Sequence, residues 1–138
     1  DLTQFQIPRE EKERIEHEAV HKILSGLIDG EQIERIFLEF DAHKTAEAKF
    51  AYMCDKLECD LQCKLYDEEG CVDLNDQEDN ETAANSHVKA LLESEKTWSG
   101  MWLKFGQEKY PYDENFMAVS EYAMKNTLSR CIKSTTVI

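Results

Sequence analysis

The sequence predicts an all-α bundle of about five helices, and three observations carry that expectation. Apolar residues recur at i, i+3, i+4 and i+7 through most of the chain. Residues suited to the first turn of a helix stand ahead of these stretches, namely Pro8, Thr45 and Asp113. No segment alternates apolar and polar residues consistently enough to read as a strand. At 138 residues, with no internal repeat, the chain suits one helical domain with a single core.

The first helix follows Pro8, carries the acids Glu10 and Glu11 in its opening turn, and continues through Ile15, Ala19, Val20, Ile23, Leu24 and Leu27 towards a stop between Gly26 and Gly30. Glu16 lies near the middle of its apolar arc, so the side chain is expected at least half buried with a hydrogen-bond partner. A short second helix carries Ile33, Ile36, Phe37 and Phe40. Thr45 caps the third, whose apolar face is Phe50, Met53, Cys54, Leu57, Leu61 and Lys64/Leu65, with Lys49, Lys56 and Asp60 on a solvent stripe. Asp55 fits neither face. It falls on a flank shared with Ala48, Ala51, Cys59 and Gln62, small or neutral side chains beside which a carboxylate is expected to face inward or into a cleft. Burying it requires a partner, either a neighbouring Arg, a helix end or a metal ion.

An acidic loop over about 67–81 follows, within a span from Lys64 to Lys89 that holds no other Lys or Arg. It fails the EF-hand pattern, because counting from Asp67 or Asp73 places Val72 or Glu78 where Gly is required. A fourth helix is predicted from about Thr82 to Phe105, with Val88, Leu91, Leu92, Trp98, Met101 and Trp102 on its apolar side. Pro111 and the capping Asp113 open a fifth, with Phe116, Met117, Val119, Ala123, Met124, Leu128, Cys131 and Ile132.

Composition narrows the function. A formal charge of −13 argues against nucleic acid and anionic membrane surfaces, both of which demand Lys and Arg, while leaving room for a small phosphorylated substrate. Mean hydropathy of −0.61 and the lack of any apolar run near the ~20 residues of a bilayer span point to a cytoplasmic protein. Five cysteines at irregular spacing, three of them in one helix, read as free thiols. Cys59 and Cys63 could hold one edge of a zinc site, but no second ligand pair accompanies them.

His17-Glu18-Ala19-Val20-His21 matches the H-E-x-x-H helix of zinc proteases. Its surroundings do not: the extended form would need Gly at Leu24 and His at Leu27, and no sheet is predicted to hold a peptide. Both histidines are expected at the solvent edge of an acidic helix, which leaves the zinc protease as a remote alternative.

The segment KFAYMCDKLECDLQ, preceded by EFDAHKTAEA, resembles the HD-domain metal-dependent phosphohydrolases, in the branch that contains the bacterial 5′-deoxynucleotidases. The resemblance rests on Leu38-Glu39-Phe40, Thr45-Ala46-Glu47-Ala48 and Asp55-Lys56-Leu57, with Asp1-Leu2-Thr3 similar to the end of a Thr-Gly-Asp segment and Glu16-His17-Glu18-Ala19 to the helix after it. It spans roughly residues 1 to 66. It implies an HD-type helical bundle, a divalent ion such as Mn²⁺, Co²⁺ or Mg²⁺, a nucleoside 5′-monophosphate or similar small phosphoester as substrate, and self-association as a homodimer. It further implies that Asp55 is a metal ligand and that Asp1 supports the substrate or an attacking water. The family's other ligands, a His and a His-Asp doublet, lie upstream of the position matching Asp1, and this sequence has no His-Asp doublet. The expectation is therefore the C-terminal two-thirds of an HD domain, a fragment of a phosphohydrolase inactive by itself. A non-catalytic helical association domain is the alternative.

Overall fold

The computed structural model describes residues 7–77 and 79–128, which are helical with no strand among them. Among the described residues seven helices form: α1 Arg9–Leu24, α2 Gly30–Ala42, α3 Ala46–Glu68, α4 Glu81–Ala84, α5 Ser86–Glu95, α6 Trp98–Lys109 and α7 Glu114–Lys125. The expected number was about five. The predicted fourth helix is broken twice, because two polar side chains in it bond to the backbone ahead of them instead of continuing the helix. Asn85 Oδ1 accepts from the amides of His87 and Val88, separating α4 from α5. Thr97 Oγ1 accepts from Gly100 N to start α6, directly after Lys96 turns into the left-handed region at φ 60°.

Other boundaries follow their caps. Pro8 precedes α1, Thr45 Oγ1 accepts from Ala48 N at 3.2 Å, and Asp113 Oδ1 accepts from Asn115 N and Phe116 N. Asp67 and Glu68, expected to open the acidic loop, instead close the last turn of α3. Leu128 lies past the end of α7, and Cys131 and Ile132 lie outside the described residues.

The chain divides into two compact units, one running to Tyr52 and one from Met53, with α3 contributing its first turns to one and the remainder to the other. In the first unit α1 pairs with α2 across a turn that includes Gly26 at φ 86° and Asp29 at φ 60°. Gly30 is required at the start of α2, since a Cβ there would collide with the carbonyl oxygen of Leu24. No residue of α1 is fully buried, and the helix is laced by pairs one turn apart: Arg9–Glu13, Lys12–Glu16, and Arg14 with both Glu11 and Glu18.

In the second unit α5 packs on α6 and α6 on α7. Val88, Leu91 and Met101 are buried together, with Leu92, Trp98, Trp102 and Phe105 against them. Trp98, Trp102 and Phe105 meet edge to face at 6.1 and 5.4 Å, the arrangement that aromatic quadrupoles favour.

Candidate functional site

α3 carries most of the candidate chemistry, and its carboxylates sort differently from the sequence expectation. Asp55 does not face inward. Its side chain is 51% exposed and pairs with Lys56 Nζ at 2.8 Å. Asp60, assigned to the solvent stripe, is instead only 5% exposed. The reason is the closeness of α6: Gly106 packs so tightly on the Asp60 carboxyl that a Cβ would overlap Oδ2, and the Tyr112 hydroxyl donates to the same oxygen at 3.3 Å. Burial pushes the Asp60 carboxyl up to about 7, against the opposing effects of the Tyr112 hydrogen bond and the charge of Lys56.

The last turn of α3 is also structural. Asp67 Oδ2 accepts from Ser99 N and Oγ at 2.9 and 2.7 Å, holding the start of α6. Glu68 accepts from Leu128 N at 2.9 Å and pairs with Lys64 at 3.2 Å, fixing the chain beyond α7. Between Asp60 and Asp67 along α3, burial and the charges of these two acids raise the Cys63 thiol to about 11, so this sulfur stays protonated at neutral pH.

The H-E-x-x-H residues of α1 have structural partners. His17 Nε2 lies 2.6 Å from Asp41 Oδ2 and sits edge-on to Phe37, while His21 Nδ1 lies 3.0 Å from Glu34 Oε1. Glu18 is engaged by Arg14. His21 is exposed as expected, whereas His17 is drawn partly under α2. The two histidines clasp α1 to α2, which accounts for their spacing without a metal. Glu16 is 44% exposed, and Lys12 one turn earlier on the same helix, 3.6 Å away, takes the place of the buried donor expected for it.

A divalent cation held by protein needs three or four converging donors. Among the described residues no three His, Cys, Asp or Glu side chains come together in a way that could hold one. Asp55 stands in an ion pair, and the histidines sit against Asp41 and Glu34. The described residues thus do not form the metal centre that the resemblance implies. Asp1, the candidate for supporting substrate, lies outside them.

Sequence reasoning missed Asp60 and the Asp67–Ser99 and Glu68–Leu128 links. Gly106 was the available signal: a glycine inside a helix, away from its ends, marks a close approach. Nothing comparable announces the acids that reach 32 and 60 residues along the chain.

No helix among the described residues is long and apolar enough to cross a membrane. No curated protein and no solved structure matches the chain. The sequence model of the family described as HD domain matches residues 1–98, reaching past the segment on which the resemblance rests and through α5. That match covers more than half of the chain, which therefore belongs to the HD domain family.

Proposed function

We propose that this chain belongs to a cytoplasmic, metal-dependent phosphohydrolase acting on nucleoside 5′-monophosphates or similar small phosphoesters, of the 5′-deoxynucleotidase-like branch. Family membership over residues 1–98 carries the reading. Here Asp55 is one ligand of an Mn²⁺, Co²⁺ or Mg²⁺ ion, and the remaining donors come from outside residues 7–128. The net charge of −13 fits a small substrate better than a nucleic acid.

Two measurements test this. The 138-residue chain alone is expected to release no phosphate from a panel of nucleoside 5′-monophosphates with any of the three metals, because one carboxylate does not hold a catalytic ion. In the complete gene product the same assay should show turnover, and Asp55→Asn should abolish it together with metal binding measured by calorimetry. Turnover by the chain alone, or an Asp55→Asn product that works normally, contradicts the assignment.

The second reading, a non-catalytic association domain, is favoured by the apolar side chains that α1 and its following turn leave in solvent. Ile15, Ile23 and Leu27 are exposed there, and Ile28 is 92% exposed. Soluble monomers rarely leave such residues contiguous, and self-association is the outcome we propose for this face. Sedimentation at micromolar concentration should show mass rising with concentration, and the double variant Ile23→Glu/Ile28→Glu should return the chain to a monomer. A wild-type chain that stays monomeric throughout rules this surface out as a self-interface.

A further inference from the structure

The meeting of α3 with α6 carries an inference that does not depend on the phosphoester reading. Two carboxylates of α3 reach α6, Asp60 at Gly106 and Asp67 at Ser99. On each helix the two positions lie seven residues apart, two turns, and they follow in opposite order. The helices therefore run antiparallel, with one acid at each end of the contact. Away from α3, α6 packs on α5 and α7, and its Met101 and Leu103 are fully buried.

The two ends are held in opposite ways. Asp67 Oδ2 accepts from the amide and the hydroxyl of Ser99, two donors that suit a charged carboxylate. Asp60 is buried, and its carboxyl fills the place where a Cβ of Gly106 would stand, so α6 offers it no side-chain donor. Tyr112, in the link from α6 to α7, donates to Oδ2 at 3.3 Å. Lys56, one turn earlier on α3, acts on Asp60 by its charge while paired with Asp55 at 2.8 Å. Cys59 and Cys63 beside it are thiols raised by burial, hence neutral. On α6, Lys104 pairs with Glu108, and Lys109 lies over the ring of Phe105. Burial outweighs the Tyr112 bond and the Lys56 charge, and the Asp60 carboxyl is held at about 7. Below that pH a neutral group rests against α6; above it the same contact buries a charge, whereas solvent would hydrate it. The Ser99 end has no such conflict.

We propose that Asp60 is a proton-operated latch on the C-terminal end of α6: the neutral carboxyl keeps Gly106 and Tyr112 against α3, and its ionisation lets the last turn of α6 and the following link open while the Asp67–Ser99 end holds as the hinge. Access to the α3 face around Asp60 then depends on pH, with the rest of the α5–α6–α7 core unchanged.

Native-state hydrogen exchange on the full 138-residue chain tests this, at pH 6 and 8, with rates corrected for the intrinsic effect of pH and with and without a low concentration of denaturant. A carboxyl held at about 7 when closed and at its ordinary 3.8 when open makes opening about tenfold more frequent at pH 8 than at pH 6. Amides over 107–112 should lose protection by that factor, at rates that denaturant does not alter, the mark of a local opening. Those of Met101 and Leu103 should exchange more slowly and only through denaturant-sensitive unfolding. Asp60→Asn should remove the pH effect at 107–112. Tyr112→Phe takes away a bond that favours the ionised form, so its midpoint should move to higher pH. The proposal is overturned if 107–112 exchanges together with Met101 and Leu103 in one denaturant-sensitive step, if its protection is the same at pH 6 and 8, or if Asp60→Asn keeps the wild-type response. Should Asp60→Asn fail to fold, an unmoved midpoint in Tyr112→Phe overturns it equally.

Discussion

Asp60→Asn is expected to flatten the pH dependence of stability between about pH 4 and 7, with wild type and variant most different above pH 7. Asp60 is buried beside Gly106 and Tyr112, and its carboxyl is raised from 3.8 to about 7 in the folded chain. Below pH 4 the group is protonated in both states and contributes nothing to the pH dependence. Between 4 and 7 the unfolded chain ionises there while the folded chain keeps its proton, so wild-type stability falls as pH rises. The loss is complete once the folded group has also ionised. Raising the carboxyl from 3.8 to about 7 sets its scale at about 4 kcal/mol. Asparagine has no proton to lose, and its amide oxygen still accepts from the Tyr112 hydroxyl. Denaturant titrations of both proteins from pH 5 to 8 measure the difference, in which every other titrating group cancels. Parallel profiles would mean that Asp60 is solvated in the folded state.

Gly106→Ala addresses the same contact from the other helix. The added methyl meets Asp60 Oδ2 at overlap distance and the ring of Tyr110 at 3.5 Å, so α6 must shift away from α3 or the carboxyl must turn. Overpacking of this kind costs about 1–3 kcal/mol. Alanine is otherwise the better helix former by about 1 kcal/mol, so any measured loss understates the collision. Combining Gly106→Ala with Asp60→Ala removes the obstructing oxygens, and the pair should lose less than the sum of the single variants. A double-mutant cycle that adds without coupling would separate the two residues in space and contradict the packing described here.

Helix starts and the all-α class were legible in the sequence because they depend on neighbours within one turn: Thr45 and Asp113 bond the amides directly after them, and the ring of Pro8 fixes the backbone just ahead of α1. The HD-domain family was legible for a related reason, since short segments such as Asp55-Lys56-Leu57 carry the resemblance wherever they finally point. The breaks at Asn85 and Thr97 were present in the residue types but hidden by an apolar rhythm that runs on across them. Periodicity records which residues are apolar and does not register a change of helix axis.

Burial of individual charges was decided only in three dimensions. Asp55 and Asp60 stand on one helix with similar neighbours, and the expected assignment inverted them: Asp55 is at the surface with Lys56, and Asp60 is under Gly106 and Tyr112. A helical wheel ranks positions by the polarity of their own side chains, whereas burial depends on what another helix brings to that spot. The glycine and tyrosine that enclose Asp60 lie 46 and 52 residues further along the chain. The histidines of α1 follow the same logic. Their spacing alone fits a metal site, and it took the placement of Asp41 and Glu34 on α2 to make them a clasp between two helices.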